Sequence, residues 1–102
     1  MAKKTKLLTI RQLEAQLKKL SYFKVDTAHK KLSATFTFTS HVDALVFIAR
    51  ITVHAEVMQH HPTITLTHQK VKVVLTTELL KGITELDCLL AQKIETIIQK
   101  GG

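Results

Sequence analysis

Strict alternation of apolar and polar residues between Leu32 and Phe38 is the sequence feature that most constrains how this chain can fold. Leucine, alanine and phenylalanine occupy every second position, and serine and threonine occupy the positions between them. Because successive side chains of a β-strand point to opposite faces of a sheet, this pattern predicts an antiparallel strand with one buried face. A similar alternation returns at 63–67 and at 71–75. The chain therefore predicts a sheet that is covered on one face only.

Helical spacings of apolar residues flank and separate these strands. Thr9, Ser40 and Thr84 are suitable N-caps for three helices, of which the second is predicted to end at about His60. A further strand is predicted over 23–28, which gives the order α-β-β-α-β-β-α. This order predicts an α+β fold, in which a four-stranded antiparallel sheet carries helices on one face. In the second helix, the stripe predicted to lie on the sheet consists of Leu45, Ile48, Ala49, Thr52, Val53, Glu56 and Val57.

The length of 102 residues predicts a single domain. We expect residues 1–8 to form a basic disordered tail and residues 9–100 to form the domain. An apolar fraction of 45% and a charged fraction of 23% are typical of a folded domain. A domain of this size cannot cover both the outer face and the edges of its own sheet, so the sequence predicts a homodimer or a homotetramer.

Composition also restricts the compartment and the partners. The apolar segments are too short to cross a bilayer, and the first ten residues lack the apolar core of a signal peptide. The single cysteine, Cys88, lies in a predicted apolar helix, so we interpret it as a core residue and expect a cytoplasmic protein. The net charge is +7, and its excess lies before Leu32, where nine basic residues stand against two acidic ones. If these basic residues lie on one surface, that surface is either simply solvated or binds nucleic acid or an acidic protein. No aromatic residues interleave with the lysines, as the stacking of nucleic-acid bases would require.

Two adjacent histidines, His60 and His61, precede the single proline of the chain, Pro62. Proline disfavours helical geometry in the residue before it, so the second helix is predicted to end at or just before His61. Glu56 lies four residues before His60, which would place the two side chains on one helix face. The histidines are either ordinary residues at a helix C-terminus or groups that transfer protons near neutral pH. A zinc site is disfavoured, because adjacent helical histidines point in different directions and no cysteine stands at ligand spacing.

The pattern Glu-x-x-x-His-His-Pro at 56–62, followed by Gly-x-Thr-x-x-Asp at 82–87, resembles a known family motif. It is similar to the motif of the pterin-4a-carbinolamine dehydratases, which are also known as dimerisation cofactors of a homeodomain transcription factor. The resemblance includes the segments 36–40 and 71–77, and it runs through nearly the whole chain, from about Ile10 to Ile98.

The resemblance implies an enzyme that dehydrates the 4a-hydroxy adduct of tetrahydropterin, which aromatic amino acid hydroxylases release. The family uses neither a metal nor an organic cofactor, and the implied partners are the pterin substrate and a hydroxylase system. The reaction needs a base for a ring-nitrogen proton and an acid for the departing hydroxyl, and two imidazoles can fill these roles. By resemblance, the catalytic residues are His60, His61 and Glu78, and the substrate-binding residues are Glu56, Pro62, Ile64, His68 and Asp87.

Two positions depart from the family motif. The position that is aromatic in the family is occupied by His68 in this chain. The third active-site position, which is His or Trp in the family, is occupied by Glu78. Glu78 could pair with His60 or His61, act as an acid itself, or mark a site that is no longer used. Two interpretations therefore stay open. The chain is an active dehydratase, or it is a catalytically silent relative that acts as a coactivator or an assembly factor, as one relative does for Rubisco in carboxysomes.

Overall fold

A four-stranded antiparallel sheet with helices on one face forms the centre of the structure, a computed structural model that describes residues 5–100. The order α-β-β-α-β-β-α predicted from the sequence is confirmed. A short 3-10 helix, Glu78–Leu80, precedes the last α-helix. The elements are α1 (Ile10–Leu17), β1 (Lys24–Val25), β2 (Leu32–Thr37), α2 (His41–Met58), β3 (Thr63–Thr67), β4 (Lys70–Leu75) and α3 (Glu85–Gln99).

The strands lie in the order β1-β2-β4-β3, so β2 and β4 are central and β1 and β3 are the edges. The pairing of Ala34 with Val73, and of Val73 with Ile64, places the apolar positions of the three long strands on one face. The opposite face carries threonines and lysines, as the alternation predicts. The core between the sheet and the helices includes Leu32, Phe36, Phe47, Ile51, Val71, Val73, Leu75, Leu90 and Ile94.

The side of α2 that faces the sheet was predicted wrongly. The buried residues of α2 are Ala44, Phe47, Ile51 and Ala55, none of which belongs to the predicted stripe, and Ile48 is the member of that stripe that packs against the core. Both sides of this helix are apolar, so periodicity alone does not identify the inner one. Phe47 identifies the inner side, because its ring packs against the rings of Phe36 and Phe38 at centroid distances of 5.0 Å each. The exposed side therefore carries Val42, Leu45, Val46, Val53 and Val57.

The first strand is shorter than the predicted 23–28, because the chain turns at Asp26. The Asp26 carboxylate accepts hydrogen bonds from the backbone N–H groups of Lys30 (2.7 Å) and Lys31 (3.1 Å), which form a turn in place of a longer ladder. The backbone N–H of Lys30 is also the main reason that the pKa of Asp26 lies below its ordinary value. His29 adopts a left-handed conformation in the same turn, with φ of 58°.

The predicted tail at 1–8 is wrong for residues 5–8, and residues 1–4 lie outside the described residues. Leu7 forms a β-bridge with Thr84, and the backbone N–H of Leu8 donates to the carbonyl of Ile83 at 2.9 Å. The Leu7 side chain lies over Gly82, where an added Cβ would come within 2.7 Å of it. A side chain at position 82 would therefore displace the Leu7 side chain.

Cys88 is buried in the core, which confirms its interpretation from the sequence. Burial raises the pKa of its thiol to about 11, with Asp87 contributing in the same direction. The thiol therefore stays protonated at neutral pH, where the thiolate would be the reactive form. No helix within residues 5–100 combines the length and the apolar character that a membrane crossing requires.

We expect this protein to form a homodimer or a dimer of dimers, with strand contacts at the free edge of β3. Two copies of β3 in a fully overlapped antiparallel pair place Thr65 opposite Thr65 of the second copy. Thr65→Lys then sets like charges directly opposite each other, so it should shift the protein towards the monomer, whereas Thr35→Lys, on the same sheet face but on central β2, should not. Light scattering after gel filtration measures this shift. A wild-type monomer of about 11.5 kDa at micromolar concentration contradicts the prediction.

Candidate active site

A left-handed residue, Gln59, ends α2 and sets the directions of the two histidines that follow it. Gln59 has φ of 52° and ψ of 41°, and its N–H donates to the carbonyl of Glu56. The N–H of His60 returns to the carbonyl of Ala55 at 3.0 Å, which completes a Schellman-type helix end. The helix therefore stops at Met58, two residues earlier than predicted, and neither histidine is helical.

The reversal at Gln59 also changes the partner of Glu56. The sequence predicted a Glu56–His60 contact on one helix face, but the Glu56 carboxylate contacts Nε2 of His61. This pair lies at the surface, because 57% of the His61 side chain and 68% of the Glu56 side chain are exposed. Exposed ion pairs contribute little to stability, so this contact mainly orients the His61 ring.

His60 points inward instead and contacts Asp87 at the start of α3. Nε2 of His60 lies 2.5 Å from Oδ1 of Asp87, and only 10% of the His60 side chain is exposed. Asp87 itself is fully buried. A buried carboxylate that holds an imidazole fixes the orientation of the ring, as in other carboxylate–histidine pairs.

Two threonines support the buried carboxylate of Asp87. Its Oδ2 atom accepts hydrogen bonds from the hydroxyl of Thr77 and from the backbone N–H of Thr84, both at 2.9 Å. Thr84 is the N-cap of α3, as predicted from the sequence, and together with Asp87 it forms a capping box. The Thr77 and Thr84 hydroxyl oxygens lie 2.8 Å apart. Thr77 was not assigned to the site from the sequence, and its only signal was its place at the end of the segment 71–77, which resembles the family.

Glu78 lies next to Thr77 but does not join the histidines. It begins the 3-10 helix and is exposed. The ion pairs among residues 5–100 are His60–Asp87 and His61–Glu56, so the predicted possibility that Glu78 pairs with either histidine is wrong for this structure. Antiparallel β4 brings the chain back to the end of the sheet where β3 begins, with Val74 opposite Thr63. Glu78 therefore stands at the same end of the sheet as the site, on the solvent side.

The remaining predicted residues are divided between the two ends of β3. Pro62 is half-buried immediately before the strand, next to the paired histidines. The Ile64 side chain packs against the core, which explains its burial without a ligand. His68 is exposed in the turn after β3, where its carbonyl accepts a hydrogen bond from the His41 ring at 2.7 Å. The five extended residues of β3 lie between Pro62 and His68 and separate them by roughly 20 Å, so one chain does not bring His68 to the histidine pair.

The arrangement combines one fixed imidazole with one accessible imidazole. His60 is held on a buried carboxylate, while His61 sits on an exposed carboxylate one residue later. Two such rings can accept and return protons on adjacent atoms of one small molecule. Within residues 5–100, the structure contains no group of three or more histidine, cysteine or carboxylate side chains placed to hold a metal ion.

Comparison with known sequences identifies relatives over nearly the full length. A model of the family described as pterin 4 alpha carbinolamine dehydratase matches residues 6–97. A protein of Nostoc punctiforme, named as a candidate pterin-4-alpha-carbinolamine dehydratase, is 38% identical over 91% of this chain and 98% of its own length. A Rhizobium johnstonii protein with the same name is 36% identical over 87% of this chain and 88% of its own length.

Two solved structures share the fold. A crystal structure from Brucella melitensis, described as a transcriptional coactivator/pterin dehydratase, has a TM-score of 0.86 and 28% identity, and the match covers 90% of this chain and 98% of that one. A pterin dehydratase-like protein identified as a RuBisCO assembly factor in the alpha-carboxysome has a TM-score of 0.64 and 18% identity. That match covers 78% of this chain and 92% of the other, and it supports the fold alone.

The two carboxylates should differ sharply in their effect on stability. Asp87→Asn places an amide against the buried donors of Thr77 and Thr84, so it should lower the free energy of unfolding by about 1–3 kcal/mol. Glu56→Gln changes an exposed pair and should alter it by less than about 0.5 kcal/mol. The midpoint of urea unfolding at unchanged m-value measures both effects. Equal effects of the two substitutions would show that the Asp87 network is not structural.

Proposed function

This chain belongs to the pterin-4a-carbinolamine dehydratase family, and on that premise we propose that it dehydrates a 4a-hydroxytetrahydropterin. The observation that carries the proposal is the pair of adjacent imidazoles, each on its own carboxylate: His60 on Asp87 and His61 on Glu56. These four residues also occupy the motif positions on which the resemblance rests.

The proposed reaction is an elimination of water. A ring nitrogen of the substrate loses its proton, a C=N bond forms, and the C–O bond to the 4a hydroxyl breaks as that group takes a proton and leaves as water. Substrate and product differ only by water, so no electrons are gained or lost overall. The protein therefore needs to supply one proton acceptor and one proton donor close together.

His60 suits the role of the base. The imidazolium that forms when it accepts the proton lies against the buried carboxylate of Asp87, which stabilises the positive charge. His61 suits the role of the acid, because its exposed ring can be reprotonated from solvent after each turnover. Pro62, which follows the pair directly, forms the adjoining wall of the proposed substrate site.

Glu78 occupies the third motif position without joining the histidine pair. Its exposure leaves its carboxylate hydrated, so its charge costs the folded site little. In the proposal it acts on a bound substrate or on the charge of the site mouth, and it does not act as a partner of either ring.

A second candidate function is a protein-binding coactivator or assembly factor that carries out no chemistry. The exposed side of α2, with Val53 at 63% and Val57 at 81% exposure, is an apolar surface of the kind that marks protein contacts. Beside it, a cleft of about 450 Å³ between α2 and α3 is lined by Arg50, His54, Lys93 and Lys100, which would favour an acidic partner. Rubisco is not singled out as that partner, because the carboxysomal relative shares only the fold.

We expect His60→Ala and His61→Ala each to lower dehydratase turnover about a hundredfold or more, which is the scale of a general acid or base. The measurement is the rate of dehydration of a 4a-hydroxytetrahydropterin by purified protein. His29→Ala, in the exposed β1–β2 turn, is the matched control and should keep wild-type turnover. Near-normal turnover in both site variants would rule out the assignment of the two histidines.

We expect Glu78→His to raise turnover or to shift its pH profile, because the substitution restores the family residue and removes a negative charge from the mouth of the site. Glu78→Gln separates the two effects, since it removes the charge without adding an imidazole. Turnover against pH for the three proteins, with calorimetric binding of a pterin analogue, provides the measurement. If neither the wild type nor Glu78→His binds the analogue, the dehydratase proposal is wrong and the protein-binding function is favoured.

A further inference from the structure

We infer that Thr77 is a positioning residue: through Asp87, it holds His60 as the tautomer that carries its proton on Nε2 and presents Nδ1 as the reacting nitrogen. The positional part of the inference stands on hydrogen bonding within the protein. Its catalytic consequence rests on the proposed dehydratase function.

The two oxygens of Asp87 have separate tasks. Oδ2 accepts hydrogen bonds from both the backbone N–H of Thr84 and the hydroxyl of Thr77. Oδ1 is left for His60 Nε2. An ionised carboxylate has lone pairs to accept with and no proton to donate, so the contact with His60 requires a proton on Nε2. The bond made by one ring nitrogen decides which form the other takes, so Nδ1 of the neutral ring is the acceptor.

The direction of the threonine hydrogen bonds supports this arrangement. Thr77 has one hydroxyl proton, and the Asp87 carboxylate is its acceptor. The 2.8 Å contact between the two threonine oxygens is then a donation from Thr84 to Thr77. Thr84 Oγ1 in turn accepts from the backbone N–H of Leu86. The series of hydrogen bonds therefore ends on Asp87, and each hydroxyl proton has a single acceptor: Thr77 Oγ1 for the proton of Thr84, and Asp87 Oδ2 for the proton of Thr77.

The backbone holds Thr77 at this point. Its N–H donates to the carbonyl of Gly82 at 2.8 Å, and the Gly82 N–H returns to the Thr77 carbonyl at 3.4 Å, which closes the loop that contains the 3-10 helix. Leu7 covers Gly82 from outside. The hydroxyl of Thr77 thus acts from a fixed backbone, which distinguishes it from a mobile surface threonine.

The second nitrogen of His60 is the free one. Among residues 5–100, no hydrogen-bond partner contacts His60 Nδ1, and every buried polar side-chain atom there does have a partner. Nδ1 therefore accounts for part of the 10% of the side chain that reaches solvent. A proton taken up at Nδ1 gives an imidazolium whose other N–H already points at Asp87. The ring needs no rotation between the two protonation states.

The test uses ¹⁵N-labelled full-length protein at a pH where the His60 ring is neutral. The ring nitrogens of His60, assigned by loss of their signals in His60→Ala, should show a protonated Nε2 and an unprotonated Nδ1. A protonated Nδ1 in the wild type overturns the inference, whether or not the protein turns over a pterin. The NMR measurement therefore tests the tautomer of His60 independently of the proposed dehydratase function.

Thr77→Val and Thr77→Ser form a matched pair, since valine keeps the shape and serine keeps the hydroxyl. Thr77→Val should weaken the Nε2–H preference and lower kcat about 10- to 100-fold with KM unchanged, the scale seen when an outer partner of a functional histidine is lost. Thr77→Ser should restore both the tautomer and kcat. A Thr77→Val protein with the wild-type tautomer and wild-type kcat overturns the inference. So does a Thr77→Ser protein that is as impaired as the valine variant while its thermal unfolding matches the wild type.

Discussion

The buried carboxylate of Asp87 is the interaction on which the site depends. It joins the start of α3, where Thr84 is the N-cap, to the segment after β4 through Thr77 and to the end of α2 through His60, 27 residues earlier in the sequence. Without the carboxylate, the buried backbone N–H of Thr84 would be left unpaired at a cost of about 1–3 kcal/mol, and the half-buried His60 and Thr77 would lose the acceptor that orients them. The same carboxylate therefore forms the capping box at the start of α3 and orients the ring of His60, a proposed catalytic residue.

The order of the elements could be predicted from the sequence because its signals are local. Alternation in β2, the N-caps Thr9, Ser40 and Thr84, and the pairing of Thr84 with Asp87 at the start of α3 are all read within a few residues. The resemblance to the family motif identified His60, His61, Glu56 and Asp87 as a group. Their motif spacing carried that prediction, and the structure brings these four side chains together in two pairs.

What the sequence did not reveal depends on long-range packing or on one backbone angle. Both sides of α2 are apolar, so its inner face follows from where Phe47 meets the aromatic residues of β2. Glu56 contacts His61 in place of His60 because Gln59 adopts a left-handed conformation at the end of α2. Residues other than glycine adopt this conformation at an energetic cost, and no sequence pattern predicts it at a glutamine. Glu95 accepts hydrogen bonds from the backbone N–H groups of residues 21–23, more than 70 positions away, and no local pattern predicts such a contact.

The place of His68 connects the site to the quaternary structure. Within one chain, β3 holds His68 roughly 20 Å from Pro62, at the far end of an edge strand. In the fully overlapped antiparallel pair of two β3 strands, Thr63 lies opposite Thr67 of the second copy. This register brings the turn after β3 of one copy, which carries His68, next to the end of the sheet where β3 of the other copy begins. The histidine pair lies at that end, so the predicted dimer brings the His68 turn of each copy towards the histidine pair of the other, an approach that the single chain cannot make.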